Sequence, residues 1–181
     1  MVLFALLASL PMLRREETPG IGMEELLSSA EAYLSAKKAG LFKALSLSAE
    51  ETSAFPAKSL AAKYVKWEGS LRNAIARQRA ARLGLDPAAY LRDFSYDTEA
   101  DRFVRDAFAA ENPLEREKLL DAGRWMKLEE LEFGHRFDFD VLCAYKLKLE
   151  ILLKWKARSA EHAAENLDLA AAEVRKEKKA V

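Results

Sequence analysis

Residues 112–155, NPLEREKLLDAGRWMKLEELEFGHRFDFDVLCAYKLKLEILLKW, read as two helices joined by a corner. Asn112 offers an N-cap oxygen, Pro113 takes the first helical position, where a missing N–H costs nothing, and Glu115 is spaced to complete a capping box. Gly134 suits the left-handed residue that ends a helix, and Asp138 can cap the helix that follows. On the first helix Leu114, Leu120, Trp125, Leu128 and Leu131 share one sector, while Leu119, Met126 and Phe133 share another. A helix apolar on two sides is expected to be sandwiched. Asp121 and Arg124, at i,i+3 beside the first sector, are spaced to pair, which predicts an internal ionic network or the rim of an interface.

The second helix carries Val141, Leu142, Tyr145, Leu149, Leu152 and Leu153 on one face. The same stripe continues as Ala160, Ala163, Leu167, Ala170, Ala171 and Val174. Run from Phe139 to Lys176, it would be about 57 Å long at a rise of ~1.5 Å per residue. A compact chain of this length has a diameter near ~40 Å. The expected architecture is therefore an all-α helical bundle over residues 1–156. Its last helix, extended through 157–181, projects, packs along the whole domain or meets a partner helix.

Working outward, residues 57–83 form a third helix whose Leu60, Tyr64, Trp67, Leu71, Ala74 and Ile75 line one face. It also bears seven Lys and Arg residues against the single acid Glu68, which opens a nucleic-acid reading because clustered cations bind phosphate. These charges spread around the helical wheel, however, and residues 97–132 hold eleven acids against six bases. Packing between those two regions is the blander reading. Residues 97–110 predict an amphipathic helix with Phe103, Ala107 and Phe108 inward, and Asp86 can cap a short one through Leu91. Met23, Leu26, Leu27, Ala30 and Leu34 predict a helix ending near Gly40. Ser48 and Glu51 form a capping-box pattern that opens at most a brief turn.

The bulk composition narrows the function classes. Lys and Arg number 29 and Asp and Glu 29, so the chain as a whole is not built for a polyanion. The one cysteine, Cys143, excludes an internal disulfide and suits a reducing cytoplasm. The opening MVLFALLASLPML lacks a basic n-region, is interrupted by Pro11 and is too short to span a bilayer, so a buried strand or short helix is expected there. There is no Gly-rich phosphate loop, CxxC, HExxH or GxSxG in the sequence. His135 with Asp138 and Asp140 is the nearest approach to a metal or acid–base cluster, but carboxylates at a helix start are explained by capping. No enzyme activity, cofactor, metal or small-molecule substrate is expected.

Three stretches carry a family likeness: LFALLASLPML (3–13), KWEGSLRNAIARQRAARLG (66–84) and, most specifically, residues 112–155 with their EFGH corner. They resemble small proteins of unassigned role encoded with the subunits of bacterial V/A-type rotary ATPases. More distantly the chain is similar to the C-type subunit of those enzymes, the d-type subunit of eukaryotes, an all-helical protein that couples the rotor shaft to the membrane ring. The resemblance implies a nonenzymatic structural or coupling component of an ion-transporting ATPase, cytoplasmic and peripheral to the membrane, with other ATPase subunits as partners. On that reading the corner residues Glu129, Glu132, His135 and Arg136 and the distal residues Ala160, Ala163, Leu167, Ala171 and Val174 are the candidates for protein interaction. The alternatives are a nucleic-acid-binding module through helix 57–83 and a coiled-coil adaptor with some other partner.

Overall fold

In the computed structural model the chain forms α1 (Val2–Ser9), α2 (Met23–Glu31), α3 (Ala36–Ala44), α4 (Leu60–Leu83), α5 (Thr98–Ala109), α6 (Pro113–Glu132) and α7 (Phe139–Ala157). Two 3-10 turns lie at Thr52–Ala54 and Pro87–Tyr90. The structure describes residues 2–158, and among them there is no strand, so the fold is all-α. The expected continuation of the last helix through 157–181 lies, beyond Arg158, outside the described residues.

Most helix starts follow from a polar side chain placed before an apolar run. Asp97 Oδ1 accepts from Ala100 N at 2.9 Å, Asn112 Oδ1 from Leu114 N at 2.8 Å, and Asp138 Oδ1 from Val141 N at 2.9 Å. Glu115, expected to complete a capping box, pairs instead with Lys118 on the next turn. Where one helix was expected from Met23 to Gly40, there are two. The hydroxyl of Ser35 caps α3, and an ion pair between Glu31 and Lys43 closes the hairpin, so Gly40 lies inside α3. Ser and other short polar side chains compete with the helical backbone and favour such breaks. The capping-box pattern at Ser48 and Glu51 starts no α-helix; Ser48 bonds Ser46, and Glu51 precedes the 3-10 turn without a side-chain cap.

Helix α4 is the axis of the bundle, packed by α5, α6, α7 and both 3-10 turns. Its expected core face is buried, with Ile75 half-buried at its end. The expectation of one face falls short, because Ala61, Ala62, Val65, Glu68, Gly69, Ser70 and Asn73 are buried as well. The reason lies in small and polar residues that hydrophobic periodicity does not weigh. A Cβ on Gly69 would stand 2.4 Å from the ring of Phe94. Ser70 Oγ donates to Ser95 O at 2.7 Å, and Asn73 bonds both backbone groups of Arg92 at 2.9 Å. These three residues lay the 92–95 segment along the helix.

Helix α7 binds the other end of the chain. Lys146 is buried, and its ammonium donates to the carbonyls of Phe42, Lys43 and Leu45 at the end of α3, a position the helix dipole favours for a cation. Glu150 Oε2 accepts from Leu47 N at 3.1 Å, and Tyr145 Oη donates to Pro11 O at 2.8 Å. The apolar N-terminus, expected as a buried strand or short helix, is the helix α1, but among its described side chains only Leu6 is buried in the core, while Phe4, Ala5, Ala8 and Ser9 are exposed. Cys143 of α7 is buried in the same core, and burial pushes its thiol up to about 12.

Candidate docking face

The corner between α6 and α7 has the expected stop. Gly134 takes φ 86°, and His135 N donates to Glu132 O at 3.0 Å. Two residues later Phe137 adopts φ 48°, a left-handed backbone that costs a bulky side chain strain. Its ring is half-exposed and lies 4.6 Å from that of Phe4 on α1, which is also exposed.

The four corner candidates divide by use. Glu132 bonds Lys148 at 2.5 Å and His135 Nδ1 meets Asp138 Oδ2 at 2.7 Å, so both serve the corner itself. Glu129 is exposed and accepts from Trp125 Nε1 at 2.8 Å, whereas Arg136 is exposed and has no ion-pair partner among the described residues. Ala160, Ala163, Leu167, Ala171 and Val174 lie outside the described residues. The polar groups around His135 cap helices: Asp138 caps α7, and Asp140 Oδ1 accepts from Leu60 N, at the start of α4, at 3.1 Å. Burial would raise the Asp138 carboxyl, but the bonds from Val141 N and His135 outweigh it and hold it below the usual carboxylate range.

Sequence spacing misassigned the second apolar sector of α6. Leu120, Trp125 and Leu128 are buried against the bundle, but the opposite side is open: Leu119 is 40%, Met126 52% and Phe133 89% exposed. Helix α6 is therefore packed on one side. The three open residues recur every seven positions, which keeps them within about 40° of arc at 3.6 residues per turn. They form a narrow apolar seam flanked by Glu115, Lys118, Glu129 and Glu130 and leading to the corner aromatics.

The inner side of α6 is ionic, as the Asp121–Arg124 spacing suggested. Arg124 donates to both oxygens of the buried Glu68 at 2.9 Å and to Asp121 Oδ1 at 2.8 Å. Arg72 adds a bond to Glu68 at 3.1 Å, and Trp155 Nε1 reaches Asp121 Oδ2 at 2.8 Å. Burial alone would lower the Arg124 pKa, but the Glu68 charge and hydrogen bonds raise it, so the guanidinium stays charged. This network absorbs part of the basic character of α4. Arg77 is likewise 3.8 Å from Asp101 of α5, leaving Lys63 and Lys66 exposed on a different side from Arg79 and Arg82.

Residues 92–167 match the family described as a protein of unknown function, DUF2764. The match takes in α5, α6, the corner and α7, fewer than half of the residues in the chain. No curated protein and no solved structure matches the chain. Among the described residues no helix is long and apolar enough to cross a membrane, and no group of three or more His, Cys, Asp or Glu side chains could hold a metal ion.

Proposed function

We propose that this protein is a nonenzymatic helical scaffold that docks onto other subunits of a V/A-type rotary ATPase on the cytoplasmic side, as a structural or coupling component of proton or sodium transport. The observation that carries the docking half of this reading is the open seam of Leu119, Met126 and Phe133, leading to Phe137 and Phe4 at the corner. Contiguous apolar surface rimmed by charge marks protein interaction sites. The left-handed backbone at Phe137 holds an aromatic side chain in the open at a cost in strain, which fits a residue kept for contact. The choice of partner is supported by the resemblance of residues 3–13, 66–84 and 112–155 to the ATPase-associated proteins.

Tagged full-length protein purified from the membranes of cells that make it should bring down ATPase subunits, and Met126→Glu with Phe133→Ser should abolish that recovery. Recovery of no ATPase subunit with the unaltered protein overturns the assignment. Recovery that survives the double substitution moves the contact away from the seam.

A further inference from the structure

On the other side of α6, about 150° around the helix from the seam at 3.6 residues per turn, lies an open groove of about 500 Å³ between α6 and the second half of α4. Its apolar walls are unusually bare: Leu83, Leu85 and Tyr90 are 71%, 46% and 57% exposed, with Leu120 at the floor. Three arginines line it. Arg72 and Arg124 are committed to Glu68, but Arg79 is exposed and has no ion-pair partner among the described residues. The groove thus asks for an occupant that is apolar along one side and acidic.

The chain itself supplies one at the groove's edge. Glu117 lines the groove and lies 3.5 Å from the guanidinium of Arg158, the last described residue. The next sixteen residues, SAEHAAENLDLAAAEV (159–174), contain the acids Glu161, Glu165, Asp168 and Glu173 and no Lys or Arg. Their apolar residues include Leu167, Leu169 and Val174. Along α4 the groove runs from Arg72 to Leu83, about 17 Å at ~1.5 Å per residue, and a stretch of sixteen residues covers that length even at a helical rise. The family match also continues past the described residues, to 167.

We propose that residues 159–174 of the same chain occupy this groove, setting leucine and alanine side chains on Leu83, Leu85 and Tyr90 and an acidic side chain on Arg79. The occupant is intramolecular and the groove lies on the other side of α6 from Leu119, Met126 and Phe133, so this contact leaves the seam proposed for ATPase docking open.

The test uses purified full-length protein with Tyr90 replaced by the photoreactive residue p-benzoylphenylalanine, prepared as an equal mixture of isotopically light and heavy chains. Irradiation and mass spectrometry of the digest should find cross-links from position 90 to residues 159–174 within one chain, and Arg79→Glu should reduce their yield severalfold. Circular dichroism confirms that each variant is folded. Cross-links that join light to heavy chains assign the groove to a second copy and overturn the proposal. So does the absence of any link to 159–174 from folded protein. No ATPase subunit is present in the experiment, so its failure leaves the proposed function standing.

Discussion

Gly69 shows how one missing side chain organises a loop. Glycine inside a helix costs about 1 kcal/mol relative to alanine, so Gly69→Ala would stabilise a solvent-exposed helix. Here the added Cβ would meet the Phe94 ring at 2.4 Å, and the 92–95 segment must move away from Ser70 and Asn73. Overpacking of this kind costs about 1–3 kcal/mol, so the expected outcome is a lower urea midpoint with an unchanged slope. An unchanged or higher midpoint would mean that Phe94 does not pack there. Arg124 is the ionic counterpart. Arg124→Met leaves Glu68 buried with only Arg72 to answer it, and removing one partner of a buried pair costs about 3–5 kcal/mol. Equilibrium unfolding of the variant measures that loss, and a loss below about 1 kcal/mol, the range of surface pairs, would show the network to be solvated.

Among the elements, α6 separates stability from recognition. Its inner side, Leu120, Trp125 and Leu128, belongs to the core, while the residues of its outer seam are exposed. Replacing Met126 and Phe133 by polar residues should therefore change stability by no more than about 0.5 kcal/mol each, as at ordinary surface sites, while removing partner recovery. A thermal melt beside the copurification separates the two effects. A large drop in melting temperature would place the seam inside the fold. At the corner, Asp138→Ala removes the cap of α7 and the partner of His135, with an expected cost of about 1 kcal/mol.

For the whole molecule, acid is the informative perturbation. In Glu117, as in Asp138, burial pulls the carboxyl pKa upward. The hydrogen bond and charge of Lys154, with Arg158 beside it, outweigh that and leave Glu117 below its ordinary 4.5; Asp138 lies below its ordinary 3.8. Such groups contribute stability that is complete above the ordinary value and is lost as pH falls through the depressed folded value. Glu150 acts in the opposite sense, since burial raises its carboxyl. Urea midpoints should thus fall as pH is lowered below about 4.5, as carboxylates paired in the native state are forced to protonate. The combined Glu117→Gln and Asp138→Asn variant should show a shallower fall, and parallel curves for variant and parent would exclude these two carboxylates as its source.

The helical class, the caps at Asp86, Asn112 and Asp138 and the Gly134 stop were legible in sequence because each depends on residues within a turn of one another. The break at Ser35 was not, since it rests on the balance between a weak cap and the return of α3 against α2. Of the corner residues, Arg136 and Glu129 are exposed where an interface would need them, while Glu132 and His135 are spent on holding the corner. Periodicity identified two apolar sectors on α6 but could not say which was covered. By itself the sequence determined where the helices capped by Asn112 and Asp138 start, which faces are apolar, and that no familiar catalytic motif is present. Only the tertiary structure decided that the first half of α4 is enclosed nearly all round, that Arg124 closes on Glu68, and that the Leu119–Met126–Phe133 seam and the Arg79 groove lie open. Capping and periodicity are local, whereas burial depends on which distant segments arrive, and that is settled by the packing of the whole chain.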